Sequence, residues 1–411
     1  MNSNKNQPRE FDAVLGGNTP PPVTGVVLGG IEGVKRRLES EIVDVRVKAL
    51  SDALNYGEAG LDLVIEALED DSLQVKSFAV RLLKERGGEK GKRALLEFDP
   101  YLYFTKLEDW EAVDFNPEVG IINPENKAYI VNLEKLQLLI QDDRVNEVEG
   151  LICHLEDDDV YYEASQEYDD LAELLYNNRN KLENLKALFV GDEQIEQFRK
   201  SYQGIGDINF LLSSFPNLEV LHLRGCCTDL HSSALGHNNL KTLVIETADI
   251  SNIAIKIMCS LNLPALKYFE LWIGRRFENS SNNMIKYLEP ILFGESFPNL
   301  NYLGIRSSEY ANEIAEAIVE SSLITEYPIL YNLLVLDLSM GNLTDAGLET
   351  LLNVPDIHNL HTLDVSNNCI TEEFLEEIEQ LSPPRCLLIP DFQEEIADRG
   401  VGISRYFALH E

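Results

Sequence analysis

His222, Cys226, Cys227 and His231 lie close together in the chain and are of the types that bind zinc. The local pattern puts His222 on a strand and the cysteines in the loop behind it, so the four would converge only through a tight turn. The simpler reading makes the cysteines small packing residues and His222 a face residue. Asp337 and Asp364 occupy equivalent places in Leu336-Asp-Leu-Ser339 and Leu363-Asp-Val-Ser366. Neighbouring parallel strands run about 4.8 Å apart, so the two carboxylates could share a patch, raising one acidity constant or attracting a divalent cation. Read plainly, they are surface acids of the repeat. The sequence holds no G-x-x-x-x-G-K-S/T, no G-x-S-x-G and no H-E-x-x-H. Gly16-Gly17 and Gly29-Gly30 follow no strand, which argues against a phosphate cradle. The expectation is a non-enzyme with no cofactor and no resident metal.

The elements that would position such groups fall into two charge regimes. Lys and Arg number 34 against 70 Asp and Glu, a net charge of −36. Residues 31–98 carry 12 basic and 14 acidic side chains, whereas 99–411 carry 20 and 54. Such a contrast suggests two domains. The acidic one repels phosphate backbones and anionic bilayers, so neither nucleic acid nor membrane is an expected partner. The expected partner is another protein, and a basic one suits the charge. No apolar run reaches the roughly 18 residues of a spanning helix. The first ten residues lack the apolar core of a secretory signal. Cys153, Cys226, Cys227, Cys259, Cys369 and Cys386 form no C-x-x-C pair and read as reduced thiols. A cytoplasmic location follows as an expectation.

Residues 1–30 are rich in Gly, Pro, Asn and Thr, and read as an extended arm. Residues 31–98 then repeat with a period of 30, pairing Val34 with Val64, Leu38 with Leu68, Val45 with Val75 and Ala49 with Ala79. Leu61, Val64, Ile65 and Leu68 have helical spacing, as do Val75, Ala79, Leu82 and Leu83. Asp70-Asp71-Ser72 separates these helices and is expected to cap the second. The Asp-Asp-x-x-x-Val-Lys step from Asp70 to Lys76 resembles HEAT repeats. The Thr-Pro-Pro-Pro-Val-Thr-Gly-Val-Val-Leu-Gly-Gly arm ending at Gly30 looks like one preceding such repeats in cyanobacterial proteins.

From residue 99 the pattern becomes apolar-x-x-apolar-x-apolar. It reads Val148-Glu-Gly-Leu-Ile-Cys153, Leu185-Lys-Ala-Leu-Phe-Val190, Leu218-Glu-Val-Leu-His-Leu223, Leu240-Lys-Thr-Leu-Val-Ile245, Leu266-Lys-Tyr-Phe-Glu-Leu271, Leu300-Asn-Tyr-Leu-Gly-Ile305, Leu333-Leu-Val-Leu-Asp-Leu338 and Leu360-His-Thr-Leu-Asp-Val365. Alternation makes each a short strand, with helical stretches such as 345–352 and 372–381 between them. Residues 129–131 read as an extra capping strand and the tail at 405–411 as a closing one. Stacked strand–helix units give the fold class: an α/β leucine-rich-repeat solenoid, parallel sheet concave and helices convex, with a small all-α HEAT-like N-terminal module. Residues 99–411 resemble an uncharacterised bacterial leucine-rich-repeat family of ribonuclease-inhibitor-like type, through Leu188-Phe-Val-Gly-Asp192, Leu243-Val-Ile-Glu-Thr247, Glu270-Leu-Trp-Ile-Gly274, Ile305-Arg-Ser-Ser-Glu309 and Arg405-Tyr-Phe407. That resemblance implies the fold and supplies no catalytic residue.

Residues alternating with the strand leucines should line the concave side. There Tyr268, Trp272 and Tyr302 fall on two neighbouring strands with Arg224, Glu246, Glu270 and Arg306 around them, and Asp337 and Asp364 form an acidic end. Exposed Tyr, Trp and Arg are the residues most enriched at binding hot spots. The expected function is therefore a protein-binding scaffold or adaptor using this face. The alternative is a transferase or chaperone-like role through the helical repeats, such as that of the HEAT-containing bilin lyases.

Overall fold

The computed structural model describes residues 30–155, 164–192, 205–206, 208–225, 236–247, 250–274, 281–326, 328–381 and 385–391. The chain divides into two compact units, residues 1–103 and 104–411.

The first unit is helical: α1 Gly30–Leu38, α2 Val43–Ala53, α3 Glu58–Glu66, α4 Leu73–Arg86 and α5 Gly88–Phe98, with a 3-10 turn at Pro100–Tyr103. Val34, Ala49, Leu50, Val64, Val75, Ala79, Leu83 and Leu95 make its core, each fully buried. They are the positions at helical spacing, because a single apolar stripe per helix is what the neighbours can cover. Ser72 precedes α4 in extended conformation, but its side chain makes no cap. Asp70 does the local work instead. Its Oδ1 accepts from the Ser72 amide at 2.8 Å and from the Arg46 guanidinium at 3.0 Å, tying the end of one repeat to the preceding α2.

The second unit is built on one sheet of eleven strands in sequential order. They are β1 Glu111–Asp114, β2 Lys127–Val131, β3 Gly150–Leu155, β4 Ala187–Asp192, β5 Val220–Arg224, β6 Thr242–Glu246, β7 Tyr268–Gly274, β8 Tyr302–Ser308, β9 Val335–Asp337, β10 Thr362–Asp364 and β11 Leu387–Ile389. All neighbours pair parallel. Parallel neighbours need crossovers. Among the described residues these carry α6 Leu133–Leu139, α7 Ala164–Asn177, α8 Ile208–Ser214, α9 Asn252–Cys259, α10 Ser281–Leu292, α11 Ala311–Ile324, α12 Asp345–Leu352 and α13 Glu372–Leu381. The result is an α/β solenoid.

The eight strands legible in the sequence are β3 to β10, and residues 129–131 lie in β2. Two strands were not anticipated, β1 and β11, and the tail at 405–411 lies outside the described residues. Register puts Leu151, Leu188, Leu221, Leu243, Phe269, Leu303, Leu336 and Leu363 in one row, each wholly buried against the helices. At about 1.5–3 kcal/mol per buried side chain, this row is the spine of the unit.

Candidate binding face

The alternate residues form the opposite face, away from α6 to α13, in three in-register columns. The column nearest the strand starts is small at one end and aromatic further on: Ala128, Gly150, Ala187, Val220, Thr242, Tyr268, Tyr302. A segment of the same unit lies on it. Trp110 packs with Ala128, Ala187 and Val220. The Thr242 hydroxyl donates to the carbonyl of Thr105. Phe104 sets its edge against both Tyr268 and Tyr302, with centroids at 5.3 and 5.6 Å. The Lys106 ammonium stands 5.6 Å from the Tyr268 ring centre. Small side chains also let the sheet itself close up here: a Cβ at Gly150 would come within 2.9 Å of Ala128 on the neighbouring strand.

This corrects one sequence expectation. Tyr268 and Tyr302 do not form an exposed aromatic patch; they are 1% and 0% accessible. They stack face to face beneath Phe104. Asp337 and Asp364 likewise do not offer an exposed acidic end, being 0% and 7% accessible. The physical reasons differ: Phe104 covers the two tyrosines, whereas Asp337 is enclosed by Tyr302, Arg306 and the Ser339 amide.

Glu270 is the hub. One carboxylate oxygen accepts from the Trp272 indole at 2.7 Å and from Arg306 at 2.8 Å. The other accepts from the Tyr268 hydroxyl and, at 3.4 Å, from that of Tyr302. The Tyr302 hydroxyl also donates to Asp337 at 2.7 Å. Asp337 lies 3.4 Å from Arg306 Nε and accepts from the Ser339 amide. Gly304, between Glu270 and Asp337 in register, makes this reach possible, because a Cβ there would meet the Tyr302 hydroxyl at 2.8 Å.

A second cluster sits on β5 and β6. Arg224 Nε is 2.5 Å from Glu246, and His222 Nε2 lies 3.0 Å from the other carboxylate oxygen in an orientation outside hydrogen-bonding geometry. Phe189 backs both, with His222 on its edge and the Arg224 guanidinium 5.2 Å from its centre.

The charge states follow from these contacts. Burial pushes the Glu246 carboxyl up, but His222 and Arg224 more than offset it and hold it at about 2. Burial also raises Glu270, and Arg306, Trp272 and Tyr268 together overcome it, so its acidity is strengthened. For Asp337 the balance reverses: burial, with the Asp364 and Glu270 charges, outweighs Arg306 and lifts its pKa. Burial, with nearby carboxylates, carries Tyr268 and Tyr302 well above the ordinary phenol value.

Of the nine residues singled out, the fold therefore joins Tyr268, Glu270, Trp272, Tyr302, Arg306 and Asp337 in one network and pairs Arg224 with Glu246. Asp364 stands beside Asp337 across the β9–β10 register. Trp272 and Arg306 keep partial access to solvent, Arg306 at 23% of its side chain. Its guanidinium lies 5.3 Å from the indole centre. Phe104, Thr105, Lys106 and Trp110 were not anticipated. The available signal was a column of small residues beside aromatic ones in an irregular stretch. Of the zinc-type quartet only His222 is described; Cys226, Cys227 and His231 lie outside the described residues. Among those described, no group of three or more His, Cys, Asp or Glu could hold a metal ion, and no helix is long and apolar enough to cross a membrane.

No protein-family profile matches the chain. No curated protein matches it either. The crystal structure of a protein from Bacteroides fragilis is similar, with a TM-score of 0.55 and 24% identity over 66% of this chain and 75% of that one. This likeness concerns the fold alone.

Proposed function

We propose that the chain is a leucine-rich-repeat solenoid joined to a HEAT-like helical module, and that it works as a non-catalytic scaffold or adaptor binding another protein. The observation that carries this reading is the Trp272–Arg306 pair. The partly exposed guanidinium lies over the partly exposed indole, and both are fixed by the same oxygen of buried Glu270. Trp and Arg are common hot-spot residues, and side chains already held in place lose little entropy on binding. The strap over Tyr268 and Tyr302 narrows the docking face to the column at the strand ends, where this pair stands. Two modules on one chain would raise the effective concentration of two ligands for each other.

The test is affinity capture from the native cell with the full chain and with Trp272→Ala. A partner retained by the wild type, and reduced at least tenfold by the variant at a temperature where the variant is fully folded, supports the reading. Identical captured sets from the two proteins overturn it. Arg306→Ala serves as the contrast. It strips Glu270 and Asp337 of their cation, so it should lose about 3–5 kcal/mol of stability whatever the face binds.

A further inference from the structure

Along the edge where the strands begin, two side-chain ladders run from repeat to repeat. The first is ionic. The residues just before or at the strand starts read Glu111, Lys127, Glu149, Lys186, Glu219 and Lys241, alternating in sign across six neighbouring strands. Lys186 meets Glu149 at 2.6 Å and Lys241 meets Glu219 at 2.8 Å. The second is made of asparagine amides in the lead-in turns. Asn184, Asn217, Asn239 and Asn299 each donate Nδ2 to a backbone carbonyl of the turn before, at 2.7–2.9 Å.

Both ladders break in the repeat that leads into β7. Where alternation calls for a carboxylate, Lys267 stands next to Lys241, its amide donating to the Lys241 carbonyl at 2.9 Å. Where the turn calls for asparagine, Ala265 stands. Two ammonium groups on adjacent parallel strands are neighbours at about 4.8 Å backbone spacing and repel one another. Lys241 is neutralised by Glu219, while Lys267 is exposed and has no acidic partner among the described residues. A groove of about 380 Å³ lies between Lys241, Lys267, Asn299 and Asn301, and it meets a second of about 490 Å³ at Lys241 and Ala265.

We propose that this edge groove binds an acidic peptide segment of a partner protein, one carboxylate seated between Lys241 and Lys267. The local balance of Lys241, Lys267 and Glu219 is one positive charge, which a single carboxylate completes. In a chain of net charge −36 such a place is an exception. The groove extends along the following turns, where side-chain and backbone polar groups can meet the rest of an extended peptide. The site is separate from the Trp272 face and does not depend on it.

The test uses the full chain and fluorescent octaglutamate at low ionic strength, read by anisotropy. Saturable binding should weaken at least tenfold in Lys267→Glu, which restores the alternation. It should also weaken in Ala265→Asn, which restores the amide and fills the space. Both changes complete a ladder, so both variants should melt at or above the wild-type temperature, and lost binding cannot be laid to unfolding. Equal binding by wild type and Lys267→Glu, or no binding by the wild type, overturns the proposal. Displacement of the peptide by inorganic phosphate at matched concentration also overturns it, in favour of a phosphate site.

Discussion

Tyr268 and Tyr302 lie face to face with ring centroids 3.8 Å apart and planes 5° from parallel, one on each of two adjacent strands. The Tyr268 hydroxyl donates to Glu270, while that of Tyr302 lies 3.4 Å from the same oxygen and donates to Asp337 at 2.7 Å. The stack thus couples a ring contact to a buried polar network. Tyr302→Phe keeps the rings and removes one donor. It should cost about 1–3 kcal/mol, the penalty for leaving buried Asp337 short of a partner. Chemical denaturation followed at the solenoid's own transition measures this. A loss below a few tenths of a kcal/mol would show that the hydroxyl carries nothing.

Phe104 caps that stack from a segment whose one regular element is the short 3-10 turn Leu107–Asp109. Phe104→Ala removes the edge contacts with both tyrosines and should lower stability by roughly 3–5 kcal/mol. Hydrogen exchange should rise first at the amides of 104–110 and of β7 and β8. If exchange rises only in the 104–110 segment, the strap is an ornament on a wall that stands without it.

Glu246 makes the solenoid sensitive to acid. Its carboxyl titrates at about 2 in the fold, against 4.5 unperturbed. A depressed carboxylate contributes stability that is fully present above the unfolded value and disappears as pH falls through the folded one. Between pH 5 and pH 2, stability on the order of 3 kcal/mol should therefore be lost through this group. Asp337, whose pKa is raised, acts with the opposite sign and favours the folded state as pH falls. Glu246→Gln should flatten the acid limb of a pH–stability curve. An unchanged limb would assign acid sensitivity to other carboxylates.

Ser307, one residue before the end of β8, sits at φ +53°, and the equivalent Met340 and Asn367, just beyond β9 and β10, sit at +64° and +52°. Its hydroxyl is buried and has no hydrogen-bond partner among the described residues. Glycine accepts positive φ freely and brings no orphan hydroxyl, at the cost of some chain entropy. Ser307→Gly should raise stability by about 1 kcal/mol. A fall of that size would mean the hydroxyl contributes packing that outweighs both penalties.

The repeat determined most of what the sequence could express. Alternating apolar residues with helical stretches between them require β3 to β10 and their leucine row, because each unit has one face to bury and only its neighbours to bury it against. The same alternation placed Tyr268, Glu270, Trp272 and Tyr302 on the face turned away from the leucine row. What it could not express was cover. Asp337 of Leu-Asp-Leu-Ser read as a surface group until register set Arg306 beside both it and Glu270, each more than thirty residues away in sequence. Phe104 lies more than 160 positions before Tyr268, and no local period links them. Two short strands, β1 and β11, lacked the motif altogether, since an end strand has one neighbour and needs fewer apolar residues. Periodicity is local and is written in the chain; burial of a face by a distant segment is a property of the assembled surface, and only the tertiary structure decides it.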